Sequence, residues 1–391
     1  MMDFIYTKLH GDKVDRNQYN SFLKIMKLLL IVSGLRKQSN IKELNLIVVI
    51  INVILLISGC ITCLMSCLRF INDLNTFTEA LMFFILFARV VGNYYSLGRN
   101  LRKINRFLWA CETNFYDFEK KNLNEISNFK QMGDYSVLRF VVLMVSLFVS
   151  MFITYTSSFR FFPITSPWDN QINSSEFLSY VSLLYQIIVC FISSIVSLTD
   201  ATLGLGSVKI ICGETEILGR SLKSTDGNLQ LKLSVKQHCF LISLMYNIQS
   251  IFSLNIFLIF ISCEFMLCLC SFQIYQMHAT MTIASLGKNI CMLCALLFHE
   301  FVYFFYGQQL VNKTADIHHD VYFCKWYKKT AQFKSSTSII QYRTKQPFII
   351  MAGKIIPVTL ASYVAVISLI IYNKKPKFSI FTTLLTVLII F

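Results

Sequence analysis

His299 and Glu300 form the first half of a His-Glu-x-x-His zinc site, in which two imidazoles one helical turn apart grip the metal and the carboxylate activates its water. Position 303 is Tyr, so the second imidazole is missing and the pair reads as two polar groups inside a helical bundle. Cys60/Cys63 and Cys291/Cys294 have the Cys-x-x-Cys spacing of zinc and redox sites. Both pairs sit inside long apolar runs, with no second pair or His pair at zinc spacing, so they read as small hydrophobes. Gly204-x-Gly206 lacks the preceding strand of a nucleotide-binding fold and reads as a helix-terminus or close-packing site. The chain carries no Walker loop, no Gly-x-Ser-x-Gly and no kinase set. These residues point away from an enzyme, and no metal or cofactor is expected.

Ionisable residues inside the apolar runs carry more information. Arg89, Glu264 and Glu300 each lie deep in such a run. An Arg at mid-bilayer costs at least about 2.5–3.5 kcal/mol, so these side chains must face the bundle interior. Two arrangements satisfy them: an ion pair in which Glu264 or Glu300 neutralises Arg89, or a polar lining of a water-filled cavity. Arg139 and Asp200 fall near run ends, where snorkelling is easy. Aromatic residues crowd the same regions: Phe83, Phe84 and Phe87; Phe152, Tyr155 and Phe159; Tyr180 and Tyr185. Singly they fit an interfacial belt and ordinary packing; together they could wall an apolar pocket for a small ligand.

The elements that must position these residues are membrane helices. Of 391 residues, 55% are apolar and 15% charged, against about 25% charged in a soluble domain. The apolar residues come in runs of about twenty, the length of a helical span. Seven candidates follow: 44–64, 80–97, 137–157, 177–203, 248–272, 290–310 and one starting near 355. This patterning excludes a soluble enzyme, a disordered chain and a nucleic-acid binder. The net charge of +15 then belongs to loops rather than to a nucleic-acid surface.

Loop charge orients the bundle. Segments 1–43, 98–135, 204–246 and 309–347 hold eight, seven, five and seven of the 36 Lys and Arg, whereas the intervening loops hold only Arg69, Arg160 and Lys288. The positive-inside rule places the N-terminus and the long loops in the cytosol, and seven spans then place the C-terminus outside. This is the reverse of a G-protein-coupled receptor. The acceptor Asn173-Ser174-Ser175 falls in a loop that this topology puts outside, where it can be glycosylated. The chain reads as one seven-helix membrane domain over 1–391, all-α, with apolar periodicity at 235–251 and 321–333 carrying helices into the cytosol. After residue 367 comes a break. Lys374, Lys375, Pro376 and Lys377 cannot sit at mid-bilayer, and Pro376 would interrupt a helix. A last span ending near Tyr372 avoids this.

Several stretches resemble the insect odorant receptor family. Tyr306-Gly307-Gln308-Gln309-Leu310, Trp326-Tyr327, Gln346-Pro347 and Ala352-Gly353-Lys354-Ile355-Ile356-Pro357-Val358-Thr359-Leu360 follow the order and spacing of its C-terminal signature. Residues 187–203 with Asp200, then Ile210-Ile211-Cys212-Gly213-Glu214 and Glu216-Ile217-Leu218, are similar to its fourth span and the helix leaving it. His238 and Phe252-Ser253 fit the start of its fifth span.

The resemblance implies an odour-gated, non-selective cation channel. Such receptors form heterotetramers with a shared olfactory co-receptor around a pore lined by the last span, in the plasma membrane of olfactory sensory neurons, and need no G protein. This chain resembles a tuning subunit, because it lacks the co-receptor's long insertion between the fourth and fifth spans. By family position, Phe83, Phe87, Ser150, Thr154, Tyr180, Tyr185 and Met281 are expected to line the pocket for a small volatile. Tyr306, Trp326, Tyr327 and Pro347 are expected in the cytosolic anchor that joins subunits. With a span ending near Tyr372, the pore lining falls on Tyr363, Val364 and Ile367. If 368–377 instead bulges out, Thr383 and Val387 occupy the family's gate positions. A volatile has few polar atoms, so its recognition rests on shape and burial at about 0.8 kcal/mol per CH₂. A gustatory-type receptor shares the topology, but the Thr-Tyr before a run closing in Gln-Phe is absent. A secondary transporter would be expected to show inverted repeats, which the chain lacks.

Overall fold

With 14 Gly and 5 Pro in the whole chain, little interrupts its helices. The computed structural model describes residues 19–35, 42–113, 176–225, 227–276 and 283–372. In order these form α1 (Tyr19–Val32), α2 (Lys42–Arg69), α3 (Leu74–Thr113), α4 (Glu176–Lys223), α5 (Asn228–Gln276) and α6 (Ile283–Tyr322). A 3₁₀ turn (Trp326–Lys328), α7 (Ala331–Thr344), a hairpin of β1 (Met351–Ala352) and β2 (Ile356–Pro357), and α8 (Leu360–Tyr372) follow. Candidate span 137–157 lies outside the described residues, as do Ser150, Thr154, Asn173, Met281, Thr383, Val387 and the lysines after Tyr372.

Among the described residues, five helices are long and apolar enough to cross a membrane: Leu46–Arg69, Leu74–Cys111, Tyr180–Lys223, Asn228–Ile274 and Asn289–Lys328. With 48 and 49 residues, α4 and α5 are each about 72 Å long, more than twice a bilayer core. The helices therefore run well past the apolar spans, as the periodicity at 235–251 requires. The central helix is α5, flanked by α3, α4 and α6. Beyond the spans, α4 and α6 are tied by Lys313 Nζ to Glu216 Oε2 at 2.9 Å and Lys223 Nζ to Asp320 Oδ1 at 2.7 Å.

Where a last span was expected from near 355, the chain instead forms the hairpin, and α8 begins at Leu360. The turn needs Gly353 and Lys354 at φ of 59° and 65°, and Met351 pairs with Pro357 across it. Continuous apolar composition conceals this turn, because its strands are as hydrophobic as the helix that follows.

The short turn between α2 and α3 is closed by Asp73, which caps α3. Its carboxylate accepts from Asn75 N at 3.2 Å and from Thr76 Oγ1 at 2.6 Å. The Thr76 hydroxyl, with the first backbone N–H groups, holds the carboxyl below the usual aspartate range. A lowered folded value means that the contribution is full above the unfolded value of about 3.9 and fades as pH falls through the folded one. Asp73→Ala is expected to lower stability by about 1 kcal/mol at neutral pH. Thermal melting of the solubilised chain checks this, and the difference from wild type should shrink in strong acid.

Candidate functional site

Phe83, Phe87 and Tyr185, expected to line a pocket, meet in a packed apolar wall where α2, α3 and α4 come together. Phe87, 1% exposed, packs with Cys63, Val189 and Cys190, and Phe83, Phe84 and Tyr185 close around them. Phe83 and Phe87 are one turn apart and so share a face of α3. Gly59 lets α2 approach: a Cβ there would stand 2.7 Å from Val189 Cγ1 and 3.4 Å from Phe87 Cε1. Tyr185 Oη donates to Ser58 Oγ at 2.8 Å, a polar link in this mostly apolar wall. Tyr180 does not join it, being 70% exposed.

One helical turn or more beyond the wall lies a buried polar clasp. Asp200 is 3% exposed. Asn93 Nδ2 of α3 donates to Asp200 Oδ2 at 2.9 Å, and Asn255 Nδ2 of α5 donates to Asp200 Oδ1 at 2.5 Å. One carboxylate thus joins three helices. The expectation that Asp200 snorkels from a helix end is corrected: α4 continues for some twenty residues beyond it, and α3 and α5 cover it. Arg89 lies within Coulombic reach of Asp200, His299 and Tyr303. Glu264 and Glu300 are both buried and adjoin each other. Among the described residues no ion pair joins Arg89 to either glutamate, and its Nε is buried with no hydrogen-bond partner.

Beside the clasp is a cavity of about 20 Å³, lined by Asp200, Asn255, Gly204, Phe252, Tyr303, Gly307, Ile350 and Val358 among others. That is room for one water, and Asn255 Oδ1 and Tyr303 Oη are buried without a partner of their own.

The far wall of this cavity is the hairpin, which is bound tightly to α5 and α6. Gln249 donates from Nε2 to Met351 O at 2.7 Å and accepts from Met351 N at 2.9 Å. Ser253 Oγ donates to the same carbonyl at 2.8 Å, and Gly353 N donates to Ser253 O at 2.9 Å. From α6, Gln308 Oε1 accepts from Leu360 N at 3.3 Å and Thr314 Oγ1 accepts from Phe348 N at 3.1 Å. Gly307 lies directly against the Val358 carbonyl oxygen, where a Cβ would overlap it. The Tyr-Gly-Gln and Ala-Gly-Lys stretches are therefore two sides of one joint.

The joint delivers α8. Tyr363 is held by its Oη donating to Leu297 O at 3.1 Å and by the Phe301 and Phe304 rings at 5.6 and 5.7 Å. Val364 is 60% exposed, on a face that this chain leaves uncovered, and Ile367 is half-buried. Of the expected anchor residues, Tyr306 is buried against Lys209, Trp326 and Pro347 are half-buried, and Tyr327 is 57% exposed. The clasp was missed from sequence. Its signal was the presence of Asn93, Asp200 and Asn255 in otherwise apolar runs.

Comparison with known proteins agrees with this architecture. The insect olfactory receptor OR5 from Machilis hrabei, solved in complex with eugenol, superposes with a TM-score of 0.74 at 14% identity, covering 96% of this chain and 100% of that one. A second structure of that receptor gives 0.73 at 15% identity, covering 92% and 100%. At such identities the likeness is one of fold. In sequence, the chain is 26% identical over 76 residues to odorant receptor 23a of Drosophila melanogaster, covering 19% of this chain and 20% of that one. It is 29% identical over 136 residues to odorant receptor 85d of the same fly, covering 34% and 31%. The matched stretches thus span a fifth and about a third of those curated relatives. The sequence profile described as 7tm Odorant receptor matches residues 73–371, most of the chain and all of the joint. The chain is a multi-pass membrane protein and belongs to the 7tm odorant receptor family.

Proposed function

We propose that this chain is a tuning subunit of an odour-gated, non-selective cation channel, assembled as a heterotetramer with the shared olfactory co-receptor in the plasma membrane of olfactory sensory neurons. The N-terminus faces the cytosol and the C-terminus the outside. A small volatile binds against the Phe83, Phe87 and Tyr185 wall, and Ser150, Thr154 and Met281 complete the pocket. The pore is lined by Tyr363, Val364 and Ile367, and Thr383 or Val387 contributes if the helix continues. Tyr306, Trp326, Tyr327 and Pro347 lie in the subunit anchor.

The observation that carries this reading is the joint. It connects α6, which packs on the pocket helices, directly to the start of α8. A ligand opens a pore only by binding the open arrangement more tightly than the closed one. A joint held by main-chain bonds to Gln249, Ser253 and Gln308 transmits such a preference with little slack. The exposed face of α8 at Val364 supports contact with neighbouring subunits.

Expression of the chain alone is expected to give little surface delivery and little odour-evoked calcium entry, and co-expression with the co-receptor should give both. Robust homomeric responses would overturn the tuning-subunit assignment. Staining of a tag at Met1 on intact cells would overturn the topology.

A further inference from the structure

Arg99, Arg102, Lys103 and Arg106 stand at i, i+3, i+4 and i+7 on α3, and all four are exposed. The opposite face buries Ile104, Phe107 and Leu108 against the core. Arg99/Lys103 and Arg102/Arg106 are like-charge pairs one turn apart, which destabilise a helix unless an outside anion gathers them. The stripe takes no part in the ion pairs Arg220–Glu216, Lys223–Asp320 and Lys313–Glu216 on α4 and α6. Lys103 Nζ has a neutral partner, Ser250 Oγ at 3.2 Å.

The position along the helix identifies the anion. The stripe starts two residues past Leu97, the end of the apolar run. From Arg99 to Arg106 the helix rises about 10 Å. A headgroup layer is about 5–7 Å thick, and long basic side chains snorkel into it. Tyr95 and Trp109, 67% and 62% exposed, flank the stripe at each end as interfacial aromatics do. We propose that this stripe binds the anionic phospholipid headgroups of the leaflet that α3 leaves. Which leaflet that is rests on the topology above, and a cytosolic one is the more anionic. The stripe would make the receptor's stability in the membrane, and the setting of α3 beneath the pocket, dependent on acidic lipid.

The test is a lipid titration of the detergent-purified full chain by native mass spectrometry, with phosphatidylserine and phosphatidylcholine as probes. Phosphatidylserine is expected to be retained and phosphatidylcholine not. Changing Arg99, Arg102, Lys103 and Arg106 together to Gln should weaken retention tenfold or more, since each basic residue near an anionic surface is worth roughly a factor of five. The loss should shrink as salt rises. Removing the same charge elsewhere, at Lys325, Lys328, Lys334 and Lys345, should leave retention unchanged. If the fourfold variant fails to fold, Arg102→Gln and Arg106→Gln alone should each reduce retention several-fold. Wild-type retention by the stripe variants, or equal loss in the control, overturns the proposal. So does full displacement by water-soluble glycerophosphoserine, which would mark a headgroup pocket and not a lipid surface. The assay needs no gating and no orientation, so its failure leaves the channel reading intact, and failure of that reading leaves this result standing.

Discussion

Asp200→Ala is expected to destabilise the bundle by about 3–5 kcal/mol, the cost of removing one partner from a buried charged network. The substitution leaves Asn93 Nδ2 and Asn255 Nδ2 without an acceptor, both in residues at most 4% exposed. It also removes the negative charge within reach of Arg89. Each stranded donor keeps its desolvation cost with nothing to offset it. Asp200→Asn should fall between, because the carboxamide oxygen still accepts one bond while its NH₂ meets the other donor. Melting of the solubilised full chain, followed by fluorescence on size exclusion, measures the order wild type, Asn, Ala. An alanine variant that melts with wild type would show that the clasp holds nothing.

A matched pair of glycines gives the second large effect, with opposite signs. Both lie mid-helix, where Gly→Ala ordinarily gains up to about 1 kcal/mol. At Gly204 an added Cβ would stand 3.6 Å from Phe252 Cδ1, an ordinary contact, so Gly204→Ala is expected to be neutral or stabilising. At Gly307 the Cβ would overlap the Val358 carbonyl oxygen, a backbone atom that no rotamer change can move. Gly307→Ala should therefore push the hairpin off α6, break the Leu360 N to Gln308 bond and cost about 1–3 kcal/mol as overpacking does. Odour-evoked current per receptor at the surface should fall at least tenfold, while Gly204→Ala stays near wild type. Equal behaviour of the two variants would show that the joint does not transmit.

The spans were legible in the sequence because burial in lipid requires about twenty apolar residues whatever their neighbours are. The candidates 44–64, 80–97, 177–203, 248–272 and 290–310 occur as helices where hydropathy puts them. The hairpin was not legible as such: Met351, Ala352, Ile356 and Pro357 are as apolar as a span, and only Gly353 and Pro357 hinted at a break. Asp200 shows the reverse error. The end of an apolar run was taken for an exit from the membrane bundle, but α4 continues and its neighbours decide burial. Tyr180 and Tyr185 illustrate local geometry. Five residues turn a helix by about 140° beyond one full turn, so both cannot face one wall. Sequence proposed both, and the structure places only Tyr185 beside Phe87. Sequence offered Glu264 or Glu300 as the Arg89 partner, whereas Arg89 lies within Coulombic reach of Asp200, because the rotation of these helices depends on distant packing.

The central claim is that this chain, with its co-receptor, is itself the ion path. The most direct measurement is current in excised membrane patches from co-expressing cells, bathed in nucleotide-free solution and challenged with an odorant identified by a panel. We expect odour to open a cation current that survives excision without GTP and that shifts when residues at Val364 and Ile367 are changed. A response that disappears on excision and returns with GTP, or a current indifferent to those residues, would contradict the claim.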